Sequence, residues 1–249
     1  MPRFPKQVPQ QDATITVFHE GLPAGVLLVD KPTGVTSHDV VNQVRRATGV
    51  KRVGHAGTLD PLATGLLVIL IGRSATKLQS QFLHQDKEYL CTAMFGTVTD
   101  SYDRDGVVEQ QASWERVQVL TRAAIEVEMS AFRGDIEQRV PAFSAVKVRG
   151  QKLYDRARRG TVSERELPTR RVHLYAFELQ DFFRDEKVKT VTARFRVHCS
   201  SGTYIRSLIH DLGQSLGTGA IVMELRRTKV GALHVDLAKK NPLVLQGIE

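Results

Sequence analysis

Twelve residues in the first third of the chain limit what the rest can become: Gly54-His55-Ala56-Gly57-Thr58-Leu59-Asp60-Pro61-Leu62-Ala63-Thr64-Gly65. Three glycines, one proline and two threonines predict an irregular, turn-rich loop, because glycine admits φ > 0 and close backbone approach while proline fixes φ and removes a donor. The run that follows, Leu66-Leu67-Val68-Ile69-Leu70-Ile71, is short and bounded by Gly65 and Gly72. It therefore predicts a buried strand rather than a helix. Asp60 is expected on a stiff loop anchored to that strand, and loops held by rigid scaffolds are where chemistry tends to sit. Read alone, an aspartate in such a loop more often caps a turn through its own backbone.

The flanking chain alternates short strands with helices. Residues 1–24 show no period and are expected to be an N-terminal tail. A buried strand over 25–32 is stopped by Pro32, and Thr36 or Ser37 caps a helix with Val40, Val44 and Ala47 on one face. A short helix is expected from Ser74 to about Phe82, then a period-two strand over 87–96 with Tyr89, Cys91, Ala93 and Phe95 on its apolar side. One helix is expected from Ser113 to Met129, with Val117, Leu120 and Ala124 inward. Two strands, 172–183 and 188–199, flank a charged turn at 184–187. A helix follows with Ile205, Leu208, Ile209, Leu212 and Leu216 on its stripe and Gly217 at its end. Tyr204 and Arg206 fall in its first turn, off the stripe, and a last strand covers 219–230.

Composition excludes several classes. No apolar stretch reaches the roughly 18–20 residues of a membrane span, and residues 1–24 lack the apolar region of a secretory signal. Cys91 and Cys199, the only two cysteines, have no metal-binding spacing and argue for a reducing compartment and against zinc. The acidic run Asp100 to Asp105 tempts a calcium reading, but the glutamate that closes such a loop is missing. Charge is unevenly placed: residues 139–171 hold ten basic and three acidic side chains, a surplus of seven in a chain whose whole surplus is eight. With Phe143 and Tyr154 interleaved, that segment favours phosphate and base contact over a merely solvated face.

The loop at 54–65, with Leu66-Leu67 behind it, resembles the signature of the TruB family of tRNA pseudouridine synthases, whose Gly-His-x-Gly-x-Leu-Asp-Pro aspartate is catalytic and is here Asp60. The resemblance continues in order along the chain, through Gly25-x-Leu27-x-x-Asp30-Lys31-Pro32, Lys87-x-Tyr89, Thr99-Asp100-x-x-Asp103, Phe132-Arg133-Gly134, Gly202-x-Tyr204-Ile205-Arg206 and Leu225-x-Arg227 with Gly231. It implies an α+β pseudouridine synthase fold, with a mixed, mostly antiparallel sheet flanked by helices and crossed by a catalytic cleft. It implies one catalytic domain over 25–231, a basic RNA-binding thumb inserted at 132–170, and a tail at 232–249 with no PUA domain. By the same resemblance Tyr89 faces the target base, Arg206 pairs with Asp60, and Leu225 packs against the base. Tyr204, Lys147 and Arg158 are expected at the RNA. Read from the residues, Tyr89 alone would be a core or edge tyrosine. His55 either stacks in the space left by the flipped base or makes a turn hydrogen bond. Lys31 either touches RNA or serves the loop structurally.

The implied reaction converts uridine to pseudouridine in the T loop of tRNA, at position 55. No atoms are gained or lost, so neither cofactor nor metal is expected. A carboxylate suits attack at C1′ or stabilisation of positive charge there. The ionised form is required, which a neighbouring cation favours. The expected partner is the T-arm stem-loop of tRNA, the expected form a cytoplasmic monomer. The competing reading is an RNA-binding, tRNA-folding chaperone whose catalysis is incidental. A chaperone needs the basic segment but not Asp60, and the presence of Asp60, Tyr89 and Arg206 together favours the enzyme.

Overall fold

The computed structural model describes residues 15–17, 22–239 and 242–243. They fall into two compact units, one built from the residues before Asp86 and after Leu225, the other from Asp86 to Leu225. The first unit opens with β1 (Ile15–Val17), β2 (Val26–Lys31), α1 (Ser37–Thr48), β3 (Val53–Ala56) and β4 (Thr64–Ile71). β2 is antiparallel to β1 and β4, and β3 is antiparallel to β4. Helix α1 starts where its chemistry says it should. Thr36 and Asp39 form a reciprocal capping box, and Gly49 ends the helix at φ 68°. Val40, Val41 and Val44 are buried, whereas Ala47 faces solvent rather than the core. Leu66 to Leu70 are fully buried, so truncating any of these leucines or Ile69 would cost about 2–5 kcal/mol.

Three expectations are corrected in this unit. Gly54 to Ala56 are not loop but strand, pairing with Leu70, Ile69 and Val68. Thr64 and Gly65 already belong to β4. The single helix expected from Ser74 is two short ones, α2 (Gly72–Thr76) and α3 (Gln79–Leu83). Thr76 turns its hydroxyl back onto the carbonyls of Gly72 and Arg73, a side-chain bond that competes with helix propagation.

The second unit carries β5 (Lys87–Phe95), the hairpin β6 (Thr97–Thr99) and β7 (Val108–Gln111), α4 (Trp114–Val117), α5 (Arg122–Met129) and β8 (Gly134–Arg139). Next come the hairpin β9 (Lys147–Val148) and β10 (Gln151–Lys152), α6 (Leu153–Ala157), the long strands β11 (Thr169–Asp185) and β12 (Thr190–Cys199), and α7 (Ile205–Ser215). β5, β12, β11 and β8 lie side by side, all antiparallel. Helices α5 and α7 cover the buried face that Tyr89, Cys91, Ala93, Phe95 and Phe195 supply. The helix expected over 113–129 is broken, because Thr121 caps a new start by accepting from the amide of Ala124. β7 was not expected: all four of its residues are exposed, so no alternation marks it. The turn between β11 and β12 sits later than expected, with Lys189 at φ 52°.

The basic segment is folded as well. Its incoming strand β8 pairs with the start of β11, and Val140, Leu153 and Leu167 form a small buried core. Val146, Val148, Val162 and the ring of Tyr204 pack against that core. Dense in charge, the segment is nonetheless folded around an apolar core of its own.

Strand β13 (Ala220–Val230) runs from the second unit into the first, where Arg226 and Arg227 pair in parallel with Thr64 and Gly65 of β4. β14 (Leu233–His234), α8 (Asp236–Lys239) and β15 (Pro242–Leu243) follow. Val235 and Ala238 join the buried cluster of Val26, Leu28, Ala56 and Leu66. The stretch expected as a C-terminal tail is thus packed at least to Ala238. Of the expected N-terminal tail, residues 15–17 form β1 on β2, and residues 1–14 and 18–21 lie outside the described residues. The architecture is α+β with a mixed, mostly antiparallel sheet.

Candidate functional site

Asp60 sits at the turn between β3 and β4, and the loop around it is tied at each carbonyl from Gly57 to Leu62. The carbonyls of Gly57 and Thr58 accept from the two terminal nitrogens of Arg227, at 3.0 and 3.5 Å. The carbonyl of Leu59 accepts from the hydroxyl of Ser37 at 3.0 Å, and the Leu59 amide donates back to it at 2.8 Å. The Asp60 carbonyl accepts from the amide of Ala63, that of Pro61 from the amide of Gly34 at 2.7 Å, and that of Leu62 from the hydroxyl of Thr33. Gly57 lies at φ 94°, where a side chain is disfavoured. Gly65 lies at φ 98°, and a Cβ there would run into the Arg227 backbone. The loop is rigid because three stretches of the first unit, Thr33-Gly34, Ser37 and Arg227, hold it.

Two buried cations belong to this scaffold. Lys31 is fully buried, and its ammonium donates to the carbonyls of Pro32, Val35 and, at 3.4 Å, Pro61. Burial, reinforced by Arg227 and opposed by Asp60, brings its pKa down to about 8. The buried ammonium is spent on these main-chain carbonyls. Arg227 is 1% exposed and also donates from Nε to the carbonyl of Leu66 at 2.7 Å. His55 lies in β3 with its carbonyl held by Gln79. Its Nδ1 is buried and makes no hydrogen bond among the described residues. Burial, and then Arg227, push its pKa below the ordinary value, which keeps the imidazole neutral at physiological pH.

In the second unit Arg206 is 4% exposed, although it stands off the apolar stripe of α7. One terminal nitrogen donates to the carbonyl of Ser101 at 2.7 Å and lies 3.6 Å from Asp103 Oδ2. The other donates to the carbonyl of Phe143 at 2.8 Å. Asp103 is held in turn, its Oδ1 accepting from the Ser101 hydroxyl and the Asp105 amide. Tyr89 is on the buried side of β5, and Leu225 is a buried residue of β13. Tyr204 caps the start of α7, with the guanidinium of Arg170 over its ring at 5.4 Å. Lys147 is exposed on β9, and Arg158 lies 4.4 Å over the ring of Tyr154. The expected residues therefore divide, with Lys31, His55 and Asp60 in the first unit and Tyr89, Lys147, Arg158, Tyr204, Arg206 and Leu225 in the second.

Sequence reading missed Ser37, Asp103 and Arg227 as supports of these side chains. Asp103 and Arg227 stood inside recognised motifs. Among the described residues no group of three or more His, Cys, Asp or Glu is placed to hold a metal ion. No helix among them is long and apolar enough to cross a membrane.

The profile of the TruB family pseudouridylate synthase N-terminal domain matches residues 45–205, and that of the tRNA pseudouridylate synthase B C-terminal domain matches residues 206–242. The chain belongs to the TruB family. Among its relatives, proteins named tRNA pseudouridine synthase B are 43% identical over 237 residues in Protochlamydia amoebophila and 46% identical over 212 residues in Chlamydia trachomatis serovar L2. These alignments cover 93% and 85% of this chain, and 86% and 83% of the relatives. Solved structures of a Cbf5-Nop10-Gar1 complex and of an archaeal box H/ACA sRNP Nop10-Cbf5 complex share the fold, with TM-scores of 0.61 and 0.55 at 27% and 28% identity. The matches cover 90% and 82% of this chain, which spans 60% and 47% of the solved chains. As a TruB member the chain has the pseudouridine synthase fold, and its α+β class is as expected.

Proposed function

We propose that this chain isomerises uridine to pseudouridine in the T loop of tRNA, at position 55, with Asp60 as the reacting carboxylate. Membership in the TruB family, with relatives named for tRNA, makes it a tRNA pseudouridine synthase. The observation that carries the residue assignment is the Asp60 loop, in which each carbonyl from 57 to 62 is hydrogen-bonded. A reacting group gains most from a scaffold that needs no rearrangement in the transition state.

The reaction breaks the N1–C1′ bond, turns the uracil and joins C5 to C1′. The proton on C5 leaves and N1 gains one, so the atoms balance without a co-reactant. Asp60 stabilises or attacks C1′ while the base is detached. Arg206 supplies the planar cation that this carboxylate requires, held by Asp103 and two carbonyls. Tyr89 faces the base and Leu225 packs against it. His55, neutral and partly buried, stacks where the uridine leaves its neighbours. Tyr204 lines the site, and Lys147 and Arg158 contact phosphates from the thumb. Lys31 holds the loop and touches no RNA. The catalytic domain covers 25–231, with the thumb at 132–170. The enzyme works as a monomer in the cytoplasm, where its substrate is made.

The test is direct. Incubation with an unmodified tRNA transcript, followed by pseudouridine mapping, should give one modified site in the T loop. Asp60→Asn keeps the size and turn hydrogen bonding and removes the charge. It should lower the single-turnover rate about a thousandfold or more, roughly 4 kcal/mol at about 1.36 per tenfold, with tRNA binding kept. A near wild-type rate in that variant would remove Asp60 from the chemistry.

A further inference from the structure

The start of α7, which carries Arg206, is bound to the strand that leads into the thumb. Gln138, the last residue but one of β8, is fully buried. Its side-chain oxygen accepts from the Tyr204 amide at 2.7 Å, and its side-chain nitrogen donates to the Tyr204 carbonyl at 2.9 Å. Both polar ends of one amide thus grip both main-chain groups of one residue, the cap of α7. The same carbonyl accepts the first helical bond, from the amide of Leu208. One residue further along, the Arg139 carbonyl accepts from the hydroxyl of Ser207 at 2.9 Å. Four residues beyond that, the Phe143 carbonyl accepts from Arg206 itself at 2.8 Å. Between these points Val140 enters the thumb's own core, against which the ring of Tyr204 packs.

We propose that Gln138 is a positioning residue for Arg206, and that through it the placement of the thumb sets the aim of the guanidinium. The proposal rests on the reading that Arg206 serves the Asp60 carboxylate. Arg206 spends one of its two terminal nitrogens on the thumb's backbone, so its direction depends on where residues 138–143 lie. The bidentate grip of Gln138 fixes the helix start to that strand in both distance and rotation, which a single hydrogen bond would not. A buried amide that loses one partner leaves an unsatisfied polar group, so the pairing is strongly specified. The consequence is a link between grip and rate: the bonds are in place before RNA arrives, so their loss should appear in the rate rather than in binding.

The experiment measures the single-turnover rate at saturating unmodified tRNA, together with tRNA Kd and Tm, for the full chain and two variants. Gln138→Met keeps the volume and removes both hydrogen bonds. The rate should fall about thirtyfold with Kd changed by less than about threefold. Gln138→Glu adds a pH readout that holds even where the methionine variant folds poorly. Ionised, the glutamate repels the Tyr204 carbonyl. Protonated, it offers the same donor and acceptor as the amide, and burial raises the pH at which this happens. The ratio of its rate to that of the wild type should rise at least about tenfold from pH 8 to pH 6, at a temperature where circular dichroism shows it folded at both. A folded Gln138→Met with an unchanged rate, a loss confined to Kd, or a flat pH ratio for Gln138→Glu each overturns the proposal. Asp60→Asn at near wild-type rate would instead overturn the reading beneath it, and the two failures are separate.

Discussion

Arg206 shows how much one side chain is asked to do. Its guanidinium serves two carbonyls and lies beside Asp103, in a nearly solvent-free place. Lysine keeps the charge but is a point donor without a fork. Arg206→Lys should therefore fold and bind tRNA, with a single-turnover rate lowered about a hundredfold. An unchanged rate would exclude the fork geometry from the mechanism. Lys31 gives a prediction in pH. Its native pKa of about 8 lies below the unfolded value of 10.5. Between these values the unfolded chain holds a proton that the native chain has released, so stability rises with pH through that window. Lys31→Met has no such dependence. The stability of wild type minus that of Lys31→Met, by urea denaturation, should climb by up to about 3 kcal/mol from pH 7.5 to 10.5. At this scale the sequence displayed the chemistry but not the contacts. Asp60, Tyr89 and Arg206 stand in motifs that can be seen in the chain. That Lys31 is buried depends on the Pro61 carbonyl, and the meaning of Gln138 depends on Tyr204, both far away in sequence.

Elements were legible where a period met a cap. β2, β5, β12, α1 and α7 lie close to where alternation, helical spacing and the Thr36 cap place them. They were illegible where burial was absent, as in β7, or where a hydroxyl interrupted an apolar stripe, as at Thr121. The thumb's core was illegible for a related reason. Its charges are dense in sequence, while Val140, Leu153 and Leu167 are scattered through it and meet only after folding. Leu153 is fully buried, and its amide donates to the Val146 carbonyl. Leu153→Ala should cost the thumb about 2–5 kcal/mol. Limited proteolysis should then cut within 140–168 at least about tenfold faster, with hydrogen exchange of β4 and β5 unchanged. Equal cleavage of variant and wild type would show that the small core does not hold the segment together.

For the molecule as a whole, charge governs the approach of RNA. The surplus of seven within 139–171 nearly equals that of the entire chain, so attraction to phosphates is concentrated there. Each phosphate neutralised contributes about 0.7–0.9 to the slope of log K against log salt. Changing Lys147 and Arg158 to glutamine together should therefore reduce that slope by about 1.5 in titrations at several salt concentrations. An unchanged slope would mean that the thumb's cations do not meet phosphates. The tethering of the Asp60 loop has a last consequence, for synthesis. Its carbonyls at 57 and 58 wait for Arg227, 170 positions from Gly57. A ribosome has therefore made everything up to β13 before that loop can be closed. A nascent chain halted before β13 leaves the exit tunnel holds Asp60 without its guanidinium clamp and without the parallel neighbour of β4. Such a chain should be inert toward tRNA, and activity should appear only once β13 has emerged.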